Sequence, residues 1–430
     1  MEPVIPYKKK SYRKTAIDCT GVYIFLLYLL FLGKFVVTKA GFAAPPLMNY
    51  ITMLLSLLLM IPLLNKYGLF LVKYVFLLVI YIGFKSLIWG MEFLPSLITY
   101  SGSLWCFFLC AIIIEGVAQN EIDYLKLKKH FYILFAFEGL LALSQYLIPS
   151  LSDMFYIDSW TWNGVTRSDE DNAASFLDFV KSPTIGTLLQ PQIYANVISI
   201  FIIIAFCDIL YNPNEKRVIK YSILLLGLAT CFLSGIRTPL FMVIITLSYI
   251  ILKFKRKWLI YYIFGVVAAV TIFVGKSFTD DTGSAARIQL GLQAITSGNS
   301  DLLIEQTIGY SLYMIPYFFQ NPVFGISLGD NYVLGRYHMS EFSSTDVQAM
   351  YYLCEIGIVG VLLFLWPIIK FGKISGFPQM DKKVKPILLI CLLLTILDDT
   401  FLGFEAKFLF ALSFGLFFYV KTDEYKSKIR

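Results

Sequence analysis

Residues 193–211 read IYANVISIFIIIAFCDILY, an apolar run whose only acidic side chain, Asp208, lies near its end. A helix needs about 20 mainly apolar residues to cross the hydrocarbon core of a bilayer, so this stretch predicts a transmembrane helix. Similar runs recur along the whole chain. We expect further spans at 21–38, 48–64, 69–84, 96–118, 131–148, 219–235, 239–252, 258–274, 347–369, 386–397 and 401–420.

The composition agrees with this pattern. Of the 430 residues, 58% are hydrophobic and only 15% are charged, with a mean hydropathy of +0.71. A water-soluble domain does not carry such an excess of apolar residues. The sequence therefore predicts an all-α fold: a single integral membrane domain over residues 1–430, with about 12 transmembrane helices. The seven cysteines show no disulfide or zinc-binding spacing, and nearly all lie in apolar runs, so we expect them to pack as small hydrophobic side chains.

Positive charges follow the alternation of sides that such a topology requires. Lysines and arginines gather in every second connection and near both termini, with prominent groups at 126–129, 216–220, 253–257 and 370–385. Cytoplasmic loops of membrane proteins carry this excess. Both termini are thus predicted to be cytoplasmic in a bacterial plasma membrane, and the basic start, MEPVIPYKKKSYRK, to precede an uncleaved first helix.

Two of the connections predicted to face the outside are long enough to carry a function, 149–190 and 276–345. The second is the large extracytoplasmic loop. Loops that are held on a rigid scaffold commonly carry binding and catalytic residues. We therefore expect the functional residues of the protein in these loops and at their ends.

Few basic residues face the predicted outer side, and four of them are arginines: Arg167, Arg237, Arg287 and Arg336. A guanidinium group matches the geometry of phosphate oxygens and is always charged. Arg237 lies in a tight turn, CFLSGIRTPLF, where it is either a site residue or an anchor for lipid headgroups. The same two readings apply to Arg287, whereas Arg336 is a weaker candidate because loop arginines are commonly solvated.

Two further residues could act as a general base. His338 is one of two histidines in the chain, and imidazole titrates near neutral pH. Asp346 lies where the large loop meets the predicted span 347–369, so it is a helix N-cap, a base, or both. The first outer loop, KAGFAAP, has no carboxylate, which argues against a required divalent metal.

Three segments, taken in order, resemble the O-antigen ligase and polymerase superfamily of bacterial envelope glycosyltransferases, that is, Wzy-like polymerases and WaaL-type ligases. They are SPTIGTLLQPQIYANVISI, LSGIRTPLFMVII, and the stretch from Arg287 through FFQNPVFGISLGDN to DVQAMYYLCEIGIVGVLLFL. Together they cover roughly residues 180–370. The resemblance implies a GT-C-like membrane glycosyltransferase without a metal or cofactor.

The family ligases carry a histidine eleven positions before the first glycine of the Gly-x-x-Gly helix, and here that position is Asp346. This departure favours a polymerase over a ligase. The resemblance implies that undecaprenyl-pyrophosphate-linked oligosaccharides are the substrates, with Arg237, Arg287 and Asp346 as catalytic residues. Contacts to substrate are expected from Arg336, His338, Arg167 and Gln192. Membrane lipids, a chain-length regulator and a flippase are candidate partners, and nucleic acid is not.

Two other functions remain open from the sequence. One is ligase-type transfer of the glycan to a different acceptor, and the other is transport, as in a lipid-linked oligosaccharide flippase. Charged residues inside predicted spans favour transport in general, and here they are Glu138, Asp208, Glu355, Glu405 and Lys407. Their scattered positions and the absence of an internal repeat speak against it.

Overall fold

The computed structural model describes residues 20–33, 35–36, 66–89, 123–148, 184–188, 191–211, 217–234, 237–254, 256–277, 315–326 and 348–374, together with positions 51, 55, 58, 150–151, 154–155, 161–162 and 165–166. This part of the chain is mainly α-helical, which confirms the predicted all-α class. Its helices are α1 (Thr20–Tyr28, continued by a π-helical turn, Leu29–Gly33), α2 (Lys66–Trp89), α3 (Tyr124–Leu147), α4 (Pro191–Tyr211), α5 (Arg217–Leu233), α6 (Arg237–Phe254), α7 (Leu259–Ser277, preceded by a 3-10 turn, Arg256–Trp258), α8 (Ile315–Gln320) and α9 (Gln348–Ile374).

The predicted spans coincide closely with helices wherever the structure describes them. For example, the predicted span 69–84 lies within the 24-residue helix α2. The predicted spans 48–64, 96–118, 386–397 and 401–420 lie outside the described residues, apart from the single positions 51, 55 and 58. Among the helices that are described, none combines the length and the hydropathy required of a membrane span.

A short β-hairpin was not predicted from the sequence. Strands β1 (Thr161–Trp162) and β2 (Val165–Thr166) pair antiparallel, with Thr161 opposite Thr166. The sequence between the strands is Asn-Gly, the dipeptide most typical of a two-residue hairpin turn. The hairpin ends one residue before Arg167.

The centre of the helical core is an aromatic cluster around Phe201 of α4. Its ring centroid lies 4.6 Å from that of Phe131 and 4.9 Å from that of Phe135, both on α3, and 6.0 Å from that of Phe31 after α1. All four rings are buried. Aromatic rings at these separations gain stability beyond the burial of their area, so this cluster joins three helices that are distant in sequence.

Several helix termini meet at one end of this bundle, which we call the basic end. Asp123 caps the start of α3, where its carboxylate accepts from the amides of Leu125 at 3.0 Å and Lys126 at 3.2 Å, and its own amide donates to Thr20 at the start of α1, 2.6 Å away. Trp258, after α6, stacks on Tyr221 near the start of α5. The described basic residues of three connections predicted to be cytoplasmic, those within 126–129, 217–220 and 253–257, therefore lie at this end.

A buried ionic cluster also belongs to the basic end. The Asp208 carboxylate, near the end of α4, binds the ammonium groups of Lys128 and Lys220, each at 2.7 Å, and accepts a hydrogen bond from the Tyr132 hydroxyl at 2.8 Å. Breaking a buried ion pair leaves an uncompensated charge and strongly destabilises a fold. Asp208 thus fixes the end of α4 against α3 and α5.

We predict that Phe201→Ala lowers the free energy of unfolding by about 3–5 kcal/mol, because it removes a large side chain that three other rings surround. Thermal unfolding of the purified protein in detergent measures the loss. Leu225→Ala is the matched control, since that side chain is 64% exposed and its truncation should change stability far less. Equal losses in both variants would contradict the central role of the aromatic cluster.

Candidate functional site

The first of the three segments quoted from the sequence contains a short loop, 184–188, that two side chains of α3 hold in place. Gln145 accepts hydrogen bonds from the amides of Ile185 at 3.0 Å and Gly186 at 2.8 Å, and it donates to the Gly186 carbonyl at 3.1 Å. Glu138 accepts from the Thr187 amide at 3.0 Å and from the Thr187 hydroxyl. All these groups are buried. We call this set of contacts the latch.

The latch depends on a glycine at position 186. Gly186 has a φ of +56°, a conformation that side chains with a Cβ rarely adopt. A Cβ there would also collide with the Glu138 carboxylate and would approach the Tyr194 ring within 2.8 Å. In the sequence, Gly186 belongs to the first of the three segments that carry the resemblance. The structure places it beside the Glu138 carboxylate, which fills the space that a Cβ would need.

The latch lies at the end of the bundle opposite the basic end. α4 runs from Pro191, directly after the latch, to Asp208 at the basic end, and α5 runs in the reverse direction from Lys220. The hydroxyl of Tyr194, early in α4, is close enough to interact with the Glu138 carboxylate and with the Thr230 side chain of α5. The end of α5 and the start of α6 at Arg237 therefore share the latch's end of the molecule.

The described parts of the third segment also meet in space, at a break in α9. Gly357, inside this helix, has a φ of +66° and a ψ of −178°, which interrupts the helical ladder. Residues 321–326, which we call the inserted element, pack against the helix at this point, with Gly325 at a φ of +73°. A Cβ on Gly325 would lie 2.5 Å from the carbonyl oxygen of Glu355, so both glycines are required for this close approach.

Groups from outside the helix replace the hydrogen bonds lost at the break. The amides of Ile358 and Val359 donate to the carbonyls of Pro322 at 2.9 Å and Val323 at 3.1 Å. The Cys354 carbonyl accepts from the Ile326 amide at 2.8 Å. Buried backbone groups without partners are costly, and the inserted element supplies the partners of these three.

Two side chains of α2 complete the junction. The ammonium of Lys85 donates to the carbonyls of Glu355 and of Phe324, the latter at 2.5 Å. The Tyr81 hydroxyl donates to the Ile356 carbonyl at 2.6 Å and to the Phe324 carbonyl at 3.2 Å. We call the break, the inserted element and these two side chains the junction.

The structure describes only the backbone of two predicted site residues. Arg237 is the first residue of α6 and Gln192 the second residue of α4, and their side chains are not among those described. Asp346, Arg287, Arg336, His338 and Arg167 lie outside the described residues. Their roles in catalysis and substrate binding stay predictions.

Sequence reasoning did not select the residues that hold these segments. Glu138 and Glu355 were noted only as charges inside predicted spans, and Lys85, Tyr81 and Gln145 were not singled out. A usable signal was present for the ionisable ones, because a charged side chain in an apolar run needs a buried partner. The structure places Glu138, Asp208 and Glu355 in three separate environments, whereas Glu405 and Lys407 lie outside the described residues.

Within the described ranges, no group of three histidine, cysteine, aspartate or glutamate residues is arranged to hold a metal ion. Comparisons with known proteins add no relative: no protein-family model, no curated protein and no solved structure matches the chain.

We predict that Gly325→Ala destabilises the protein by at least about 1–3 kcal/mol, the cost of forcing a side chain into a left-handed backbone conformation. The measurement is the thermal unfolding of the purified protein. Gly265→Ala is the control, because Gly265 lies in α7 with no atom within 4 Å of the added Cβ, and alanine favours a helix by about 0.5–1 kcal/mol. A Gly325→Ala variant as stable as Gly265→Ala would show that the junction is not formed.

A second prediction concerns the latch. Glu138→Ala removes the acceptor of the Thr187 amide and hydroxyl, and a buried group left without a partner costs about 1–3 kcal/mol. Hydrogen exchange measured by mass spectrometry should speed up at Thr187, whereas the amides of Ile185 and Gly186 keep their bonds to Gln145. Glu138→Gln retains a carbonyl acceptor and should lose less protection. Unchanged exchange at Thr187 in the alanine variant would refute the latch.

Proposed function

We propose that the chain is an integral membrane glycosyltransferase that polymerises undecaprenyl-pyrophosphate-linked oligosaccharide repeat units into a cell-surface polysaccharide. The observation that carries the proposal is the shared location of two family-like segments. The latch, which precedes Gln192 in the sequence, and the start of α6 at Arg237 lie at the same end of the bundle. This end is opposite to the basic end, and it would face the outside of a bacterial plasma membrane.

Membrane insertion in this proposal rests on the composition and on the surface of the described helices. Large apolar side chains are exposed on most of them, including Phe76 and Leu87 of α2 and Phe264 of α7. Soluble monomers rarely expose large contiguous apolar patches, so such surfaces mark contact with lipid or with another protein. A bilayer would cover them without further partners.

In the proposed reaction, the protein forms no covalent bond with the substrate. The bond between the anomeric carbon of the donor glycan and its pyrophosphate breaks, and a hydroxyl oxygen of the acceptor glycan takes its place. Arg237 and Arg287 would neutralise the charge that develops on the leaving pyrophosphate. Asp346 would accept the hydroxyl proton or orient the hydroxyl, Arg336 and His338 would assist, and Gln192 and Arg167 would contact sugars.

The described contacts would contribute rigidity to this site. Reactants held in a defined geometry react far faster than free ones, and such a geometry requires fixed supports. The latch fixes the backbone directly before α4, and the junction fixes the backbone at Gly325, on the chain between Arg287 and Asp346. Both supports lie within the segments on which the proposal rests, and Gln192 follows the latch closely in the sequence.

One observation favours transport as the second candidate. Discontinuous helices such as α9 are typical of secondary transporters, where unwound backbone carbonyls coordinate an ion or substrate. In α9 the carbonyls of Cys354, Glu355 and Ile356 accept from Ile326, Lys85 and Tyr81. The break is thus occupied by the chain's own groups, which favours a structural joint over a transport site.

The decisive experiment is an incubation of the purified protein with undecaprenyl-pyrophosphate-linked repeat units from its own host, in detergent and with a chelator. We expect a ladder of glycans on a gel. Without a ladder, given authentic substrate and folded protein, polymerisation is refuted, and ligase assays and transport assays in liposomes come next.

In the same assay, Arg287→Ala should abolish the polymer and leave single repeat units, because the leaving pyrophosphate loses a guanidinium partner. Lys255→Ala, in a connection predicted to face the cytoplasm, is the control and should form a normal ladder. Equal loss in both variants would point to a folding defect rather than to lost chemistry.

A further inference from the structure

The break in α9 concentrates oxygen atoms around one buried positive charge. We propose that the junction is a built-in cation site whose resident cation is the ammonium group of Lys85. The proposal is independent of the glycosyltransferase function, because it concerns what holds the junction together.

The geometry of this site comes from two neighbouring turns of α2. Lys85 has no solvent-exposed surface, although its side chain is one of the longest in proteins. Its ammonium donates to the carbonyls of Phe324 and Glu355. Tyr81, one helical turn earlier, shares the Phe324 carbonyl and also binds that of Ile356. Three backbone carbonyl oxygens and a phenolic oxygen are therefore gathered at one point.

The electrostatics of the break favour a cation there. The carbonyls of Glu355 and Ile356 end the first half of α9, and carbonyls at a helix C-terminus carry partial negative charge. The Glu355 side chain is 2% exposed and interacts electrostatically with Lys85. A buried ammonium is tolerated only when its charge and its hydrogen bonds are compensated. Here the carbonyls of Phe324 and Glu355 accept its hydrogen bonds, and the Glu355 carboxylate supplies a favourable electrostatic interaction.

Backbone carbonyls of this kind are the ligands by which membrane proteins bind monovalent metal ions. In this protein the charge is supplied by a side chain, so it needs no ion from solution. Lys85 thereby joins three parts of the chain: α2, the inserted element 321–326 and the first half of α9.

The proposal predicts that a small primary ammonium can replace the missing side chain. In Lys85→Ala we expect the melting temperature of the detergent-purified protein to fall by several degrees, and n-propylammonium chloride to recover part of the loss in a saturable manner. Tetramethylammonium chloride at equal concentration should not do so, since it has no N–H donor. The wild-type protein should respond equally to both salts.

Matched variants separate the charge from the volume of the side chain. Lys85→Met keeps a long side chain without a charge, and it should be less stable than wild type and unresponsive to either amine. Lys126→Ala removes an exposed lysine and should show no amine-specific effect.

If Lys85→Ala does not fold, Lys85→Arg and Lys85→Met still test the proposal, because only the arginine variant retains a cation and should be the more stable of the two. The proposal is overturned if Lys85→Met matches wild type, if Lys85→Arg is no more stable than Lys85→Met, or if a folded Lys85→Ala responds equally to the two amines.

Discussion

The pairing of backbone hydrogen bonds inside an apolar interior is the constraint on which the described architecture depends. An unpaired amide or carbonyl there costs several times the net gain from a typical hydrogen bond. Three consecutive helical pairs are opened in α9, from Cys354 with Ile358 to Ile356 with Gly360. Each opened pair receives new partners from the inserted element, from Lys85 or from Tyr81. The latch follows the same constraint, because Gln145 and Glu138 accept hydrogen bonds from loop amides that have no partner in a helix or strand.

The latch and the junction explain how two short irregular segments, the loop 184–188 and the inserted element, hold a defined conformation. A loop of five residues, 184–188, would not hold one conformation alone, since fixing each residue costs about 1–2 kcal/mol of backbone entropy. Two buried side chains from α3 provide bonds to three successive amides and so offset part of that cost. The same reasoning applies to the inserted element, whose first residue, Asn321, also caps its own turn through the Phe324 amide. Rigid loops of this kind are suited to presenting reactive groups, whichever chemistry they carry.

The sequence predicted the helices well, because long apolar runs bounded by charges leave few alternatives. It also predicted that the basic connections share a side, and the helix termini of three of them, at Asp123, Lys220 and Trp258, lie at one end of the bundle. It did not predict the break at Gly357, since nothing in an apolar run such as EIGIVGVLLFL distinguishes a glycine that interrupts a helix from one that continues it. Nor did it assign roles to Lys85 and Gln145, whose partners are distant in sequence and are brought near only by packing. For the candidate site, most of the predicted residues lie outside the described part of the chain, and the structure adds the latch and the junction, which the sequence did not predict.

The hydrogen bond from Ile326 to Cys354 has a consequence for how this chain can vary over evolutionary time. It closes the intervening segment, so the two ends of that segment stay together whatever its length. The entropic cost of closing a flexible loop rises only with the logarithm of its length, by about 0.6 kcal/mol for each doubling. The fold itself therefore sets no single length for the sequence between residues 326 and 348, whereas Gly325 and Gly357, whose backbones touch, tolerate no added atom. Homologous chains should agree at these two glycines more strictly than in the number of residues between them.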